Sequence, residues 1–326
     1  MRIVFHGDNA ASFSGGFAAL VGTGAEVQIL PEALQSQSDR DCYAIADVIV
    51  STKFDETLPD PSNLKLFHVP AAGYDAVKLD LLPPTAVVCN CFGHEQAIAE
   101  YVMSAILARH VPIRDADARL RECDWKYWAG KLDRLHDEMA GKTIGLLGFG
   151  HIGKAIAVRA KAFELRVNVA NRSAIAIGDL VDQSFTLDRL ADFWGTVDFL
   201  VVSVPLAAET KGMVSDAAFA AMRRHAVVIN VGRGPTIDEQ ALYDALKSGR
   251  IGGAVIDTWY AYPTAEQPNP QPSRLPFNEL SNVVMTPHMS GWTPGTIRRR
   301  QLTIADNIRR RSANMACINV VRDGCR

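Results

Sequence analysis

The sequence predicts an α/β protein built from two domains, each organised around a parallel β-sheet. Short runs of apolar, β-branched residues recur without polar alternation, as is typical of strands buried on both faces. Segments long enough for crossover helices separate these runs, and that rhythm favours parallel sheets covered by helices. A helical stretch divides the strands into two series, and 326 residues are enough for two domains.

The first strand series lies before residue 92. Its predicted strands are Arg2–Phe5, Glu26–Leu30, Asp47–Ser51, Leu64–Val69 and Ala86–Asn90. Gly15–Leu20 and Pro31–Ala46 are long enough to be crossover helices. A long helical stretch is then predicted from about His94 to Arg121, because apolar residues recur there at three- and four-residue spacing.

The second strand series follows this helix. Its predicted strands are Thr143–Gly148, Arg166–Ala170, Asp198–Val204, Ala226–Val231, Gly253–Asp257 and Asn282–Thr286. Between the last two, Tyr262–Phe277 contains five prolines, which exclude a helix or a central strand. This segment is therefore either a long ordered loop or a lid.

Composition and charge exclude several classes of protein. Hydrophobic residues make up 48% and charged residues 21%, which argues against a disordered chain or a coiled coil. With 34 Lys and Arg against 36 Asp and Glu, the net charge of −2 gives no general attraction for nucleic acid or an anionic membrane. No apolar run approaches a membrane span. The arginines at 298–300 and 309–311 are interpreted as the solvated side of an amphipathic helix.

The cysteines and histidines show no metal-binding or disulfide pattern. The six cysteines lack CxxC spacing and are expected to be reduced thiols. The histidines lack paired-ligand spacing, so we expect no metal. Because the first residues do not resemble a signal peptide, we expect a cytoplasmic protein.

The strongest motif is a glycine-rich turn between a predicted strand and a predicted helix. Gly148, Gly150 and Gly153 form GxGxxG in that setting. In such turns the first glycine allows a tight bend, the second lets the backbone approach a pyrophosphate, and the third lets the helix pack on the strand. The second series therefore predicts a Rossmann-like dinucleotide-binding domain, and the first a Rossmann-like or flavodoxin-like sheet.

In such domains, residues at the end of the following strand contact the adenosine ribose and distinguish NAD from NADP. An NAD enzyme usually has an acidic residue there, whereas this chain has Asn171, Arg172 and Ser173. No carboxylate is present to repel a phosphate, and an arginine and a serine could bind one. The sequence therefore favours NADP as cofactor, with NAD left open.

Further motifs follow in a fixed order along the chain. They are AAGYD at 71–75, AIAEYV at 97–102, Trp125 in LRxxxW, GKTIGLLGFGHIGKAIA at 141–157, VPL at 204–206 with Thr210, INVGRG at 229–234, TPHMSGWT at 286–293 and INVV at 318–321. From about Val87 onward, the chain resembles the D-isomer-specific 2-hydroxyacid dehydrogenase family, in particular its glyoxylate and hydroxypyruvate reductases.

The resemblance implies hydride transfer between a nicotinamide and C2 of a small 2-oxo or 2-hydroxy acid. Arg233 would clamp the carboxylate and polarise the ketone, and His288 would act as acid and base. The backbone N–H groups of Ala72 and Gly73 would hold the carboxylate, and Asp257 would touch the nicotinamide amide and help fix Arg233. The residues expected to bind the cofactor are Gly148, Gly150, His151, Ile152, Gly153, Asn171, Arg172, Ser173, Val204, Pro205, Thr210, Val231, Gly232, Arg233, Asp257, His288 and Gly291.

The chain departs from the family pattern at two positions. Tyr262 stands where the family has a Glu that pairs with the catalytic His, and where formate dehydrogenases have Gln. A phenol can orient an imidazole but cannot stabilise imidazolium as a carboxylate does. We therefore expect His288 to have a lower pKa than in relatives with Glu, unless Glu266 reaches back from the proline-rich loop. The second departure, Glu164 in place of the family's Gly, is interpreted as surface variation.

Two alternatives to a small 2-oxo acid reductase stay open. One is a dehydrogenase of another small anion; the missing Gln argues against formate. The other is a nucleotide-sensing binding protein with little turnover, like the corepressors that share this fold. Tyr262 weighs slightly for the second alternative, and Arg233 and His288 weigh against it.

The motifs also predict where the domains divide. Residues 1–92 and 293–326 are expected to form a discontinuous substrate domain, and residues 93–292 the dinucleotide-binding domain. The apolar helix at His94–His110 resembles the segment through which the family dimerises, so we expect a homodimer.

Overall fold

The chain forms two compact α/β units. The structure, a computed structural model, describes residues 1–22, 24–264 and 267–324. One unit comprises Met1–Gly93 and Trp292–Arg326, and the other His94–Gly291. Each is organised around a mainly parallel sheet, which confirms the predicted fold class.

The first unit has a six-stranded sheet in its described part. The strands are β1 (Arg2–His6), β2 (Glu26–Leu30), β3 (Val48–Val50), β4 (Leu66–His68), β5 (Val87–Cys89) and β13 (Val320–Arg322). Their spatial order is β13-β5-β4-β3-β1-β2. The pairs are parallel except that β13 lies antiparallel to β5.

The second unit has a seven-stranded sheet, parallel throughout its described part. The strands are β6 (Thr143–Leu147), β7 (Arg166–Asn171), β8 (Gln183–Thr186), β9 (Phe199–Val202), β10 (Val227–Asn230), β11 (Gly253–Ile256) and β12 (Val283–Met285). Their order is β12-β11-β10-β9-β6-β7-β8. The direction of winding reverses between β6 and β9, and open α/β sheets bind ligands at the carboxyl ends of strands at such a point.

Helices connect these strands. They are α1 (Asp8–Ala11), α2 (Phe17–Val21), α3 (Gln37–Ala44), α4 (Glu95–His110), α5 (Ile113–Arg121), α6 (His151–Ala162), α7 (Leu190–Trp194), α8 (Asp216–Ala221), α9 (Glu239–Lys247) and α10 (Pro294–Ser312). The helical stretch predicted from His94 to Arg121 is present as two helices, because the chain breaks between α4 and α5 at Pro112. Proline lacks the N–H that a continuous helix would need there.

The strands lack polar alternation because both faces of each sheet are covered. In the first unit Val4 and Ile49 face one apolar cluster, whereas Ile3 and Val50 face the other. Since side chains alternate along a strand, a strand with both faces buried must be apolar at every position. The pattern that predicted parallel sheets therefore has a direct structural cause.

His68, at the end of β4, is fully buried and hydrogen-bonded on both nitrogens. Its Nε2 lies 3.1 Å from Nδ2 of Asn307, and its Nδ1 lies 3.2 Å from the Val69 carbonyl oxygen. Because an amide nitrogen can only donate, Nε2 accepts and Nδ1–H donates. Asn307 also bonds both backbone groups of Ile318 and so joins α10 to the segment before β13. Burial lowers the pKa of His68 to about 4.

One prediction about exposed residues is wrong. Arg300 is buried on α10 instead of solvated, with its Nε 3.4 Å from the Phe92 carbonyl oxygen. Glu164 is exposed, as the interpretation of surface variation expects, but its backbone is left-handed, with φ 59°. Non-glycine residues rarely adopt that conformation. The family's Gly at this position therefore has a physical reason, and the glutamate strains the turn between α6 and β7.

The C-terminal end of the proline-rich segment, nearest β12, is held by hydrogen bonds and by burial of Phe277. The Ser273 hydroxyl and the Arg274 N–H both donate to Glu239, and Phe277 is buried in the core. Glu266, the predicted alternative partner of His288, lies outside the described residues.

Candidate active site

The glycine-rich turn has the geometry that a pyrophosphate site requires. Gly148 follows β6 with φ 98°, and a side chain at Gly153 would overlap the carbonyl oxygen of Gly148. Gly150 faces open space, with no atom within 4 Å of where its Cβ would be. Helix α6 begins at His151, so its N-terminal N–H groups and positive dipole end point toward that space. The turn therefore has room and charge for an anion.

The predicted ribose-reading residues lie beside this turn. Asn171 ends β7, and its Oδ1 accepts from the Phe149 N–H at 3.4 Å. Its Nδ2 donates to the Ser173 carbonyl oxygen at 3.1 Å. Asn171 thus links residues 171–173 to the glycine-rich turn by hydrogen bonds. Arg172, next to it in sequence, is exposed.

The loop after β9 lies beside the glycine-rich turn, at the carboxyl edge of the sheet. The Thr210 hydroxyl donates to the Pro205 carbonyl oxygen at 2.7 Å and accepts from the Ala207 N–H at 2.8 Å. Val204 contacts Gly148, since a Cβ on that glycine would lie 3.0 Å from it. The predicted cofactor residues Val204, Pro205 and Thr210 therefore form one folded loop beside the glycine turn.

Arg233 follows β10 in a tightly fixed stretch of backbone. The Asn230 amide accepts from the Gly232 N–H at 3.1 Å and donates to the Arg233 carbonyl oxygen at 3.2 Å. A side chain at Gly234 would overlap the backbone of Trp259. The Arg233 side chain is half-buried and its Nη1 donates to the Gly232 carbonyl oxygen at 2.9 Å. The guanidinium is consequently held at the carboxyl edge of the sheet.

His288 lies in the segment after β12, which is held by Asp257. This carboxylate is fully buried, and its Oδ1 accepts from the Thr286 hydroxyl at 2.5 Å and from the Met289 N–H at 2.9 Å. Its Oδ2 accepts from the Ser290 N–H at 3.0 Å. Asp257 therefore binds the chain on both sides of His288, whose own φ is 58°.

Tyr262 contacts His288 through its ring. The two ring centroids are 5.5 Å apart with planes tilted by 48°. The phenol oxygen accepts a hydrogen bond from the Trp259 N–H at 3.0 Å. Burial raises the pKa of Tyr262, so this neighbour of the imidazole is uncharged near neutral pH.

The surroundings of His288 favour its neutral form. Partial burial lowers the pKa of His288 below its usual value, the Asp257 carboxylate opposes that shift, and the Arg233 guanidinium adds to it. That Tyr262 gives His288 a lower pKa than in relatives with Glu stays a prediction. Arg233 and His288 follow β10 and β12, on either side of β11, and so lie at the same edge of the sheet.

The predicted substrate-binding loop lies in the first unit. It follows β4, and the Asn90 side chain donates to the Ala72 carbonyl oxygen at 2.7 Å. The Cys91 N–H donates to the Ala71 carbonyl oxygen at 3.1 Å. Gly73 is half-exposed, so the loop presents its backbone at the carboxyl edge of the first sheet.

The structure thus gathers Arg233, His288, Tyr262 and Asp257 at the carboxyl edge of the second sheet, next to the glycine turn. Sequence reasoning missed Tyr101, Asn230, Trp259 and Thr286, which hold these groups, and Asn90, which holds the Ala72 loop of the first unit. Of these, Tyr101, Asn230 and Thr286 stand inside the AIAEYV, INVGRG and TPH motifs, and that placement was the available signal. Asn90 stands outside these motifs, at the end of a predicted strand.

The described residues contain no group of three or more His, Cys, Asp or Glu placed to hold a metal ion. None of the described helices combines the length and the apolar character that crossing a bilayer requires.

Comparison with known proteins decides the family. Residues 103–290 match the model of the D-isomer specific 2-hydroxyacid dehydrogenase, NAD binding domain. The chain belongs to this family. A D-2-hydroxyacid dehydrogenase is an oxidoreductase that uses NAD or NADP, and the glycine turn described above lies within the matched range.

Individual D-2-hydroxyacid dehydrogenases resemble the chain over most of its length. A glyoxylate reductase from Korarchaeum cryptofilum is 29% identical, with 82% of this chain and 79% of that protein covered. A hydroxypyruvate reductase from Thermotoga maritima is 29% identical, with 87% and 90% covered. A solved D-isomer specific 2-hydroxyacid dehydrogenase from Xanthobacter autotrophicus, in complex with NADPH and MES, has a TM-score of 0.77 and 26% identity, with 98% and 97% covered.

Proposed function

We propose that this chain is an NADP(H)-preferring reductase of small 2-oxo acids of the glyoxylate or hydroxypyruvate type, acting on the D side. The observation that carries the proposal is that Arg233, Asp257 and His288 each follow one of three neighbouring parallel strands, β10, β11 and β12, and so lie at the same carboxyl edge of the sheet that bears the glycine turn. The similar proteins from Korarchaeum and Thermotoga, named glyoxylate reductase and hydroxypyruvate reductase, support the substrate class.

The residues at the turn fit a nicotinamide dinucleotide. The open space at Gly150 and the N-terminus of α6 suit its pyrophosphate. When bound, this cofactor supplies the hydride that reduces C2 of the substrate. The protein's part is to bind, orient and protonate the substrate.

Arg233 binds and orients the substrate, and His288 transfers the proton. The planar guanidinium of Arg233 binds the substrate carboxylate and polarises the adjacent ketone. The family resemblance assigns the N–H groups of Ala72 and Gly73 to substrate binding as well. As C2 is reduced, protonated His288 gives one proton to the developing alkoxide, and the product is a 2-hydroxy acid. In the reverse direction neutral His288 accepts that proton.

Preference for NADP rests on the segment after β7. Arg172 and Ser173 stand where a carboxylate would otherwise repel the 2′-phosphate. An Arg172→Ala variant should bind NADPH at least about tenfold more weakly, in line with loss of a charge-assisted contact, and NADH about as before. Equal losses for both cofactors, or tighter binding of NADH by the parent protein, would contradict the preference.

A turnover assay tests the proposed function. The purified protein is given a panel of 2-oxo acids with NADPH and with NADH, and oxidation of the cofactor is followed. Arg233→Lys and His288→Gln should each lose about 100-fold or more in kcat/KM, whereas the exposed control Arg250→Lys should not. Tight NADPH binding with negligible turnover would instead favour the nucleotide-sensing alternative.

The two units take different parts in this proposal. Residues 1–92 and 293–326 are assigned as the substrate domain because the 71–75 loop lies there. Residues 93–292 are assigned as the dinucleotide-binding domain because the glycine turn, Arg233 and His288 lie there. We also assign the protein to the cytoplasm, since its described cysteines are free thiols, as is usual where glutathione keeps thiols reduced.

We further propose a homodimer. The apolar positions Ile98, Val102 and Ile106 of α4 are buried in the core of their own unit. Large apolar side chains beyond α4 are exposed instead, with Leu132 88% and Leu135 72% accessible. A patch of this kind marks an interaction surface. Light scattering should give twice the chain mass for the parent and one chain mass for a Leu132→Glu, Leu135→Glu variant. The control Leu302→Glu should stay dimeric, and a monomeric parent would refute the proposal.

A further inference from the structure

Three side chains form a hydrogen-bonded series beneath the segment that carries His288. Tyr101 on α4, Thr286 after β12 and Asp257 after β11 make up this series, which we call the anchor chain. We propose that Thr286 and Tyr101 are positioning residues, which hold the His288 segment in the conformation that proton delivery requires. The inference rests on the proposed function of His288.

The hydrogen bonds of the anchor chain have a defined direction. The Asp257 carboxylate only accepts, so the single hydroxyl hydrogen of Thr286 points to its Oδ1, 2.5 Å away. The Tyr101 hydroxyl lies 2.7 Å from the same Thr286 oxygen and must therefore donate to it. Burial raises the pKa of Tyr101 to about 12, so the phenol keeps this hydrogen at neutral pH. The Tyr101 hydroxyl therefore donates to Thr286, and the Thr286 hydroxyl both accepts from Tyr101 and donates to Asp257. Loss of either hydroxyl removes a hydrogen bond from its neighbour.

The anchor chain controls the backbone on both sides of His288. Thr286 lies two residues before it, and the Met289 and Ser290 N–H groups after it bond the same carboxylate. The Thr286 carbonyl oxygen also accepts from the His288 N–H at 3.1 Å and from Nε1 of Trp259 at 2.8 Å. Thr286 is thus bound to neighbouring elements through both its side chain and its carbonyl group.

His288 requires such support because of its backbone conformation. Its φ of 58° lies in the left-handed region, which non-glycine residues occupy only when the surrounding structure imposes it. Released from the anchor chain, the residue would return to an ordinary conformation and its imidazole would move. A displacement of about 1 Å at a reacting group can cost on the order of 100-fold in rate.

Substitutions at Thr286 separate its hydroxyl from its bulk. Thr286→Val keeps the shape and removes the donor to Asp257, whereas Thr286→Ser keeps the donor. We expect Thr286→Val to lower kcat for 2-oxo acid reduction about tenfold or more, with KM and the Kd for NADPH changed less than about twofold. Thr286→Ser should restore the parent kcat, and the control Thr196→Val, which loses a hydroxyl elsewhere in the same unit, should match the parent. Equal losses in the Val and Ser variants would overturn the inference.

A second measurement does not depend on turnover. Amide hydrogen exchange at Met289 and Ser290 reports the bonds to Asp257 directly. Exchange at these two amides should be at least about tenfold faster in Thr286→Val, faster by less in Tyr101→Phe, and at the parent rate in Thr286→Ser. Unchanged exchange in Thr286→Val would overturn the anchor chain. A parent protein without turnover would refute the proposed function alone, since the exchange result still decides whether the chain holds the segment.

Discussion

Lowering the pH should destabilise the first unit through one side chain, His68. Burial between Asn307 and the Val69 carbonyl lowers the pKa of its imidazole to about 4, from the usual 6.5. Between these values the unfolded chain binds a proton that the native chain does not. Stability therefore rises with pH in that interval. The contribution is fully present above about pH 6.5 and is lost as the pH falls toward 4.

The magnitude follows from the difference between the two values. At about 1.4 kcal/mol for each pKa unit, it corresponds to roughly 3 kcal/mol of unfolding free energy. That is a large part of the 5–15 kcal/mol by which proteins are usually stable. Protonation would also put a hydrogen on Nε2 facing the Asn307 amide nitrogen, which can only donate.

Urea unfolding between pH 8 and pH 4 measures this effect by comparison with a His68→Gln variant. Glutamine keeps an oxygen that can accept from Asn307 but does not titrate. The variant should lose about 3 kcal/mol less than the parent over this range, and a His136→Gln control at an exposed site should follow the parent. Parallel pH profiles for the parent and His68→Gln would refute the reasoning.

Three further predictions concern the site and its support. Tyr262→Glu should place a carboxylate beside His288, raise the pKa of the imidazole, and shift the pH profile of reductive kcat/KM upward by about one unit. Tyr262→Phe is the control, and an unchanged profile in the Glu variant would contradict the role given to the phenol. Glu164→Gly should raise the free energy of unfolding by about 0.5–1 kcal/mol, because glycine tolerates the left-handed backbone; a less stable variant in urea would count against the strain. Asn90→Ala should raise the KM for 2-oxo acids about tenfold and leave the Kd for NADPH unchanged, because the Ala72 loop loses its hydrogen bond. Equal weakening of both ligands would point to general unfolding instead.

The sequence predicted those features that depend on local pattern. The apolar runs became strands within one or two residues of the expected bounds, because burial on both faces demands apolar residues at every position. The glycine turn was predictable since its chemistry needs particular residue types at fixed spacing. Two short strands escaped prediction: β8 reads Gln183–Thr186, and β13 has three residues. Neither has the apolar run that marked the others.

Local sequence patterns could not predict contacts between residues that are distant in the sequence. Tyr101 and Thr286 are separated by 185 residues, and nothing near Tyr101 indicates that its hydroxyl meets a threonine. Arg300 looked solvated because it belongs to an arginine cluster, yet it is buried where α10 approaches the Phe92 carbonyl. The left-handed backbone of Glu164 was likewise invisible, because a glutamate gives no sign of it.

The position of β13 has a consequence for the order of folding on the ribosome. β5 has its β13 edge open until residues 320–322 pair with it, and these residues are synthesised after the other described strands. Residues 94–291 form a contiguous unit and can fold while the chain is still being made. The sheet of the first unit is therefore completed after that of the second. An unpaired edge strand can pair with other chains, so the β5 edge is exposed to aggregation during this interval.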